Sequence, residues 1–448
     1  MSPVKLTAFT LGQVGMMMLA RFFFQWILNF AASSPTQGDE TLFSAAAVGT
    51  TLLAFRVFDG VTDPLAGMLG DAWSRKGRPR QQLLWAAFLI PSLGVGLTFA
   101  PTHAMEVTSR WALLLSGMFV FFVGYTFYAI PYWSLVDDYA GDDPRARTRL
   151  SNLLGAGLLV ATGIGFVVSP MLVDQLGFQG AAWTLAAVAA PLMTLPYFAA
   201  PDPGETAEAS AEPRDARRDA PSGVEDPSRQ GLESIKAALR DRDFIAVTIL
   251  FGGSQMSLTI MTAAAPFIAV DLLGGSTADV ALLLGPLLAA ALPVMIFTPA
   301  LARRVGWRGS VVGATALLAC VYGGTGALGG TLVHSPLVTA AALFALGGPM
   351  IAVLLGLEGE AIAESARARA PDAVSVYFGV YNFVVKALNG VAIAGAGYLA
   401  EQARGDWGVA AVRAMSAAAG AVLLVGFAIY LVARVSARRR GHGPVPAR

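Results

Sequence analysis

Residues 52–69 read LLAFRVFDGVTDPLAGML. With its flanks this run approaches the ~20 mainly apolar residues that a membrane-crossing helix needs. It nevertheless holds Arg56, Asp59 and Asp63 within eight positions. A charge at mid-bilayer costs about 2.5–3.5 kcal/mol on insertion scales. Three of them predict a spanning helix that turns its charged side away from lipid. Asp59 and Asp63 stand at i and i+4, so their Cβ atoms lie about 5–6 Å apart on one face. Arg56 sits one turn earlier on that face, Thr62 adds a hydroxyl, and Pro64 frees a backbone carbonyl. Two carboxylates and a hydroxyl are hard oxygen donors of the kind that suit an alkali cation. The alternatives are a proton shared by carboxylates that cannot easily both ionise, and a structural network neutralising Arg56 and another buried cation.

The whole chain agrees with a membrane setting. Its 448 residues are 55% hydrophobic and 14% charged, with a mean hydropathy of +0.60, against about 25% charged in soluble domains. A soluble protein of this composition would expose large apolar patches. The net charge of +1 gives no reason to invoke nucleic acid. The lone Cys320 excludes a disulfide framework or a thiolate metal site. His103, His334 and His442 lie in loops or the tail and build neither a zinc site nor a catalytic triad, so no enzyme and no cofactor is expected. Lys5 precedes an apolar stretch that runs through Phe30 without an A-x-A site, which reads as a first span rather than a cleaved signal.

The apolar runs predict an all-α membrane protein of twelve spans, at 5–31, 42–70, 80–100, 108–137, 150–173 and 180–200, then 244–271, 278–301, 309–330, 335–362, 373–400 and 408–434. The expected organisation is a six-helix half over 1–200, a linker over 201–243, a second six-helix half over 244–434 and a tail over 435–448. Within the linker, residues 201–232 are rich in Pro, Ala, Glu, Asp and Arg with almost no large apolar side chains, too polar to offset the entropy of ordering. Leu232 to Leu239 predicts a short interfacial helix.

Lysine and arginine alternate between loops. Arg75, Lys76, Arg78 and Arg80, then Arg145, Arg147 and Arg149, then Arg303, Arg304 and Arg308, Arg367 and Arg369, and Arg438–Arg440 fall on one side, with Arg110 and Arg404 as exceptions. The positive-inside rule then places both termini in the cytoplasm, of a membrane expected to be bacterial. SRKGRPR at 74–80 echoes ARRVGWRG at 302–309, after the second and eighth spans. Likewise PRARTR after the fourth span echoes SARARAPD after the tenth. Such matching suggests two parallel repeats, the arrangement of major facilitator transporters, with a solute site between halves.

Other spans carry polar stripes. Arg21, Gln25 and Asn29 recur at i, i+4 and i+8 in the first span, lining either a cavity or a neighbouring helix. In the eleventh, Ser375, Gly379, Asn382, Lys386 and Asn389 form a stripe, and Lys386 lies too deep to snorkel comfortably. The fourth span combines Tyr125, Thr126, Tyr132 and Trp133 around Pro131; flat rings in a polar cavity can stack on a ring-shaped solute.

Together these segments resemble the glycoside–pentoside–hexuronide:cation symporters, the melibiose permease-like branch of the major facilitator superfamily, which is related to sodium-dependent lysophospholipid transporters. The motif R-x-x-D-x-x-[NT]-D-P-x-x-G is present as Arg56, Asp59, Thr62, Asp63, Pro64 and Gly67. Y-T-x-x-x-I-P-[FY]-W-S-L-V is present from Tyr125 to Val136, and V-V-K at Val384 to Lys386. The resemblance implies a major facilitator fold of two six-helix halves working by alternating access, and a monomer. It makes Asp59 and Asp63 the main cation ligands, with Thr62 and Thr126 adding oxygens. Lys386, with Arg56, would couple cation to solute, and Tyr125, Trp133, Arg149 and Asn382 would contact or gate the solute. It also gives the basic loops the interhelix contacts that hold the inward-closed state.

Sugar-carrying members place two further aspartates in the cavity, where this chain has Met17 and Ala129. Neither accepts a hydrogen bond from a sugar hydroxyl as a carboxylate does. Arg21 is one turn from Met17, so Arg21, Arg56 and Lys386 stand against Asp59 and Asp63, three positive to two negative. That surplus predicts an anionic group on the solute, such as a uronate, another carboxylate or a phosphate. Glu358 and Glu360 could balance it, though they are expected near the cytoplasmic end of the tenth span. The expected function is symport of a small polar solute with sodium, or alternatively with a proton. A lysophospholipid is the rival cargo. A polytopic lipid enzyme lacks a nucleophile or metal constellation here, and a membrane sensor would need a folded signalling domain.

Overall fold

The computed structural model describes residues 1–34, 40–141, 143–200, 227–328, 335–369 and 374–439, and among them there is helix and no strand. The helices are α1 (Pro3–Ala31), α2 (Ala45–Arg75), α3 (Gln81–Ala87), α4 (Leu89–Thr98), α5 (Val107–Ala140), α6 (Pro144–Gly163) and α7 (Ser169–Thr194). They continue as α8 (Pro227–Arg240), α9 (Arg242–Phe267), α10 (Val280–Val305), α11 (Trp307–Gly326), α12 (Pro336–Arg369), α13 (Val374–Arg404) and α14 (Val409–Arg439). Among the described residues eleven helical runs are long and apolar enough to cross a membrane. One of them, Pro144–Ala199, has 56 residues. As a straight helix it would be about 84 Å long, against a hydrocarbon core of ~30 Å. Its backbone breaks at Gly177, with φ 68° and ψ 176°, so it holds two spans and the total is twelve. The break falls between the predicted spans 150–173 and 180–200. The predicted span at 80–100 is α3 followed by α4, interrupted at Phe88.

Helix starts carry their own signals. Asp143 caps α6 by accepting from the Arg145 N–H at 2.8 Å, with Pro144 in the first turn. Asp241 does the same for α9 through the N–H groups of Asp243 and Phe244. These side chains satisfy amide donors that a helix leaves open at its first turn. The helix predicted at Leu232 to Leu239 is α8, which is longer and begins at Pro227. The predicted linker up to residue 226 lies outside the described residues, as does the end of the basic tail.

The chain divides into two compact units, Met1–Leu42 with Phe58–Ser222, and Phe43–Val57 with Gly223–Arg448. The division falls inside α2. In the first unit α1 lies against α6 and α7, and α4 against α5. The core is aromatic: Phe23 stacks on Phe121 at 4.4 Å between ring centroids, and Phe22 and Phe30 flank Phe99. Buried polar tips find acceptors. Trp26 Nε1 donates to Ser169 Oγ at 2.8 Å, and Tyr128 donates to the Met193 carbonyl at 2.7 Å. In the second unit α9 packs on α13 and α14, and α10 on α12. The first half of α2 packs on α13, where a Cβ on Gly49 would lie 2.9 Å from the Ile393 carbonyl oxygen. Such close backbone approach through small residues is how helices pack where lipid removes the hydrophobic drive between them. Large apolar side chains point outward, Ile296 at 76% and Phe297 at 66% exposed, the reverse of a water-soluble surface.

The echoed basic loops make corresponding contacts in each unit. Arg80, closing the loop after the second span, bonds Asp71 at 2.7 Å and Asp138 near the end of α5. Arg308, after the eighth span, bonds Glu364 near the end of α12 at 2.9 Å, and Trp307 donates to the same carboxylate.

Candidate functional site

In the first unit α2 carries Asp59, Thr62 and Asp63. Asp59 is wholly buried, and Thr126, equally buried on α5, donates its hydroxyl to Asp59 Oδ1 at 2.7 Å. The two helices thus place an alcohol and a carboxylate oxygen within reach of one small ion. Asp63, one turn on, is half-buried. The Thr62 hydroxyl donates back along its own helix, with the Phe58 carbonyl at 3.0 Å and the Asp59 carbonyl at 3.2 Å. Its proton is therefore satisfied locally, as is common for hydroxyls inside helices.

The polar face of α1 is longer than the stripe at Arg21, Gln25 and Asn29. Gln13 continues it backward at the same spacing, through Met17, and Gln13 Oε1 accepts from Trp133 Nε1 on α5 at 3.1 Å. Tyr125 points its hydroxyl at Met17 Sδ, 4.0 Å away. The stripe predicted from the sequence starts at Arg21, although the same four-residue step reaches back through Met17 to Gln13. Arg21 is half-buried, packed where a Cβ on Gly165 would meet its own Cβ at 2.6 Å. Gln25 is wholly buried, and among the described residues neither of its amide atoms has a hydrogen-bond partner. Such groups are rare in folded proteins and mark places where water or a ligand completes the bonding. Arg149 is exposed at the start of α6.

In the second unit, Arg56 on α2 and Lys386 on α13 are both half-buried, and Asn382 is exposed. Asn389, one turn beyond Lys386, accepts from the Thr259 hydroxyl on α9 at 3.1 Å. Ser375 lies at a position whose side chain is outside the described residues. A cluster that the sequence did not reveal as such joins three helices. Glu358 on α12 accepts from Gln255 Nε2 on α9 at 2.9 Å and from the Tyr381 hydroxyl on α13.

A buried carboxylate and amide, with half-buried basic side chains, are carried on apolar spans. Residues 8–433 match the family described as MFS/sugar transport protein, which makes the protein a polytopic membrane transporter rather than an enzyme. The chain belongs to that family. Over 163 residues it is 29% identical to a protein of Escherichia coli (strain K12) named "Putative glycoside/cation symporter YagG". The match spans 35% of this chain and 35% of that relative. Among solved structures it is similar to a bacterial homolog of the human lysosomal transporter Spinster, with a TM-score of 0.65 and 14% identity over 97% of each chain. It is also similar to the nucleoside transporter NupG, with a TM-score of 0.63 and 12% identity over 96% of this chain and 99% of that one. Likeness at this identity shows the fold, a major facilitator fold of two six-helix halves.

Proposed function

We propose that the protein is a cation-coupled symporter that carries a small polar, anionic solute by alternating access. The observation that carries this reading is the wholly buried Asp59 joined to the buried Thr126 hydroxyl on a second helix. An ionisable group at that depth in a spanning helix defaults to function. Asp59 and Asp63 are the cation ligands in this reading, with Thr62 and Thr126 as hydroxyl donors. The donor set suits sodium, and a proton shared between the carboxylates is the alternative. Arg56 and Lys386 are assigned to coupling. Linkage requires that cation raise solute affinity by the factor by which solute raises cation affinity.

Arg21, Gln25, Tyr125, Trp133, Asn382 and Arg149 are assigned to the solute. Gln25 supports this through its buried amide, which has hydrogen-bonding capacity that no described residue uses. An anionic sugar, a hexuronide or a glycoside bearing an acidic group, is the solute class. The name of the Escherichia coli relative supports a sugar, and the three basic residues weighed against two acidic ones support the negative charge. An amphiphile such as a lysophospholipid is the second reading, favoured by Met17, whose sulfur rather than a carboxylate faces the Tyr125 hydroxyl. The protein is placed in a bacterial cytoplasmic membrane as a monomer with both termini inside. Uptake of a panel of labelled hexuronides, neutral glycosides and lysophospholipids into proteoliposomes, with and without an inward sodium gradient, tests the reading. Sodium-stimulated uptake of an anionic sugar supports it. Stimulation of neutral glycosides alone, or of none of the panel, defeats it.

A further inference from the structure

Glu358 is a half-buried carboxylate two-thirds of the way along α12, and its depth in the membrane follows from its partner Gln255, which stands at the middle of the apolar spanning helix α9. Among the described residues its two polar partners are Gln255 and Tyr381, one on each oxygen. Both are neutral. An intramembrane carboxylate is ordinarily neutralised by a basic partner or by a proton, and no described basic side chain contacts this one.

The charged and titratable side chains on the packed helices lie elsewhere. On α9, Arg242 and Asp243 stand in the first turn, about 18 Å along the axis from Gln255. On α10, Arg303 and Arg304 occupy the last turn. On α11, Arg308 is taken by Glu364, while Cys320 and Tyr322 stand near its far end. On α13, Tyr377, Lys386, Tyr398, Glu401 and Arg404 accompany Tyr381; Lys386 is five residues on, rotated by about 140° around the helix. On α12 itself, Glu360 is exposed and rotated about 160° from Glu358, and Glu364 and Arg367 lie further toward its end.

We propose that Glu358, with Tyr381 and Gln255, forms a proton-binding site in the second unit, separate from the α2 carboxylates. The ionised carboxylate accepts from Tyr381 O–H on one oxygen and from the Gln255 amide on the other. When a proton arrives from water, it binds the oxygen facing Tyr381. The new carboxyl O–H then donates to the tyrosine oxygen, and the tyrosine O–H turns away from the carboxyl. Gln255 keeps its bond to the second oxygen throughout. A tyrosine can serve in both directions because its hydroxyl both donates and accepts. This inference goes beyond the cation reading at Asp59 and does not depend on which solute is carried.

The test is infrared difference spectroscopy of the purified, lipid-reconstituted protein, with the proton itself as probe. A step from mildly alkaline to mildly acidic buffer leaves exposed carboxylates ionised, since their ordinary values lie near about 4. Wild type gains a protonated-carboxyl C=O band in this step, and Glu358→Gln loses it while retaining both hydrogen-bond partners. Tyr381→Phe keeps the band at a shifted frequency. The Asp59→Asn/Asp63→Asn double variant keeps it in place, which separates this site from α2. No band in wild type, an undiminished band in Glu358→Gln, or a band lost with the α2 aspartates overturns the proposal. A band unmoved in Tyr381→Phe removes Tyr381 from it.

Discussion

Replacing Thr126 with valine tests whether its hydroxyl is a ligand of the coupling cation or only a prop for Asp59. The two roles predict opposite signs. Valine keeps the branched shape of threonine, so packing at this wholly buried position is nearly preserved, and the change reduces to the loss of one hydroxyl 2.7 Å from Asp59 Oδ1. If the hydroxyl only donates to the empty carboxylate, its removal leaves Asp59 poorer in donors, and a cation compensates it more strongly. Affinity would then hold or rise. If the hydroxyl oxygen also ligates the cation, the bound state loses a dipole–charge contact. On the scale of a hydrogen bond to a charged group, about 1.5–3 kcal/mol, that is a fall of roughly 10- to 150-fold in cation affinity. A fall is expected, read as a rise in the sodium concentration giving half-maximal uptake in proteoliposomes, with Thr126→Ser close to wild type. Unchanged or tighter sodium dependence in Thr126→Val would refute the assignment of Thr126 as a ligand.

Further expectations concern charge and packing. Arg21→Gln should lower uptake of an anionic solute at least tenfold and leave sodium binding intact; unchanged uptake would remove the argument for an anionic cargo. Glu401→Ala deletes a carboxylate that accepts from Ser44 and, at 3.0 Å, from the Ala46 N–H at the start of α2. Losing this cap should cost about 0.5–2 kcal/mol, seen as a lower unfolding temperature in detergent. Gly124→Ala places a Cβ 2.6 Å from the Pro91 nitrogen and forces α4 from α5, with an overpacking cost of about 1–3 kcal/mol in the same assay.

The stretch around Asp59 was legible because charge in an apolar span is conspicuous and the i, i+4 rule fixes its face. The twelve spans were legible for the same reason, run length against bilayer thickness, and the break at Gly177 fell in the short gap predicted between two of them. Thr126 was reachable only through family resemblance, since hydroxyls in spans are common and most of them, like Thr62, bond their own helix. Gln13 is readable by the same four-residue step that links Arg21, Gln25 and Asn29. The Glu358, Tyr381 and Gln255 cluster was out of reach: each residue is an isolated polar position on its own span, and the register between three helices is set by packing that no one-dimensional pattern records. Likewise, Glu401 reads as a charge near a helix end until the fold shows it capping α2.

The most direct measurement is isothermal titration of the purified protein with sodium, comparing wild type with the Asp59→Asn/Asp63→Asn double variant. Saturable sodium binding is expected in wild type and is lost in the double variant. Saturable binding that survives in the double variant, or no sodium heat in wild type across several pH values, would contradict the claim that these two carboxylates hold a sodium ion.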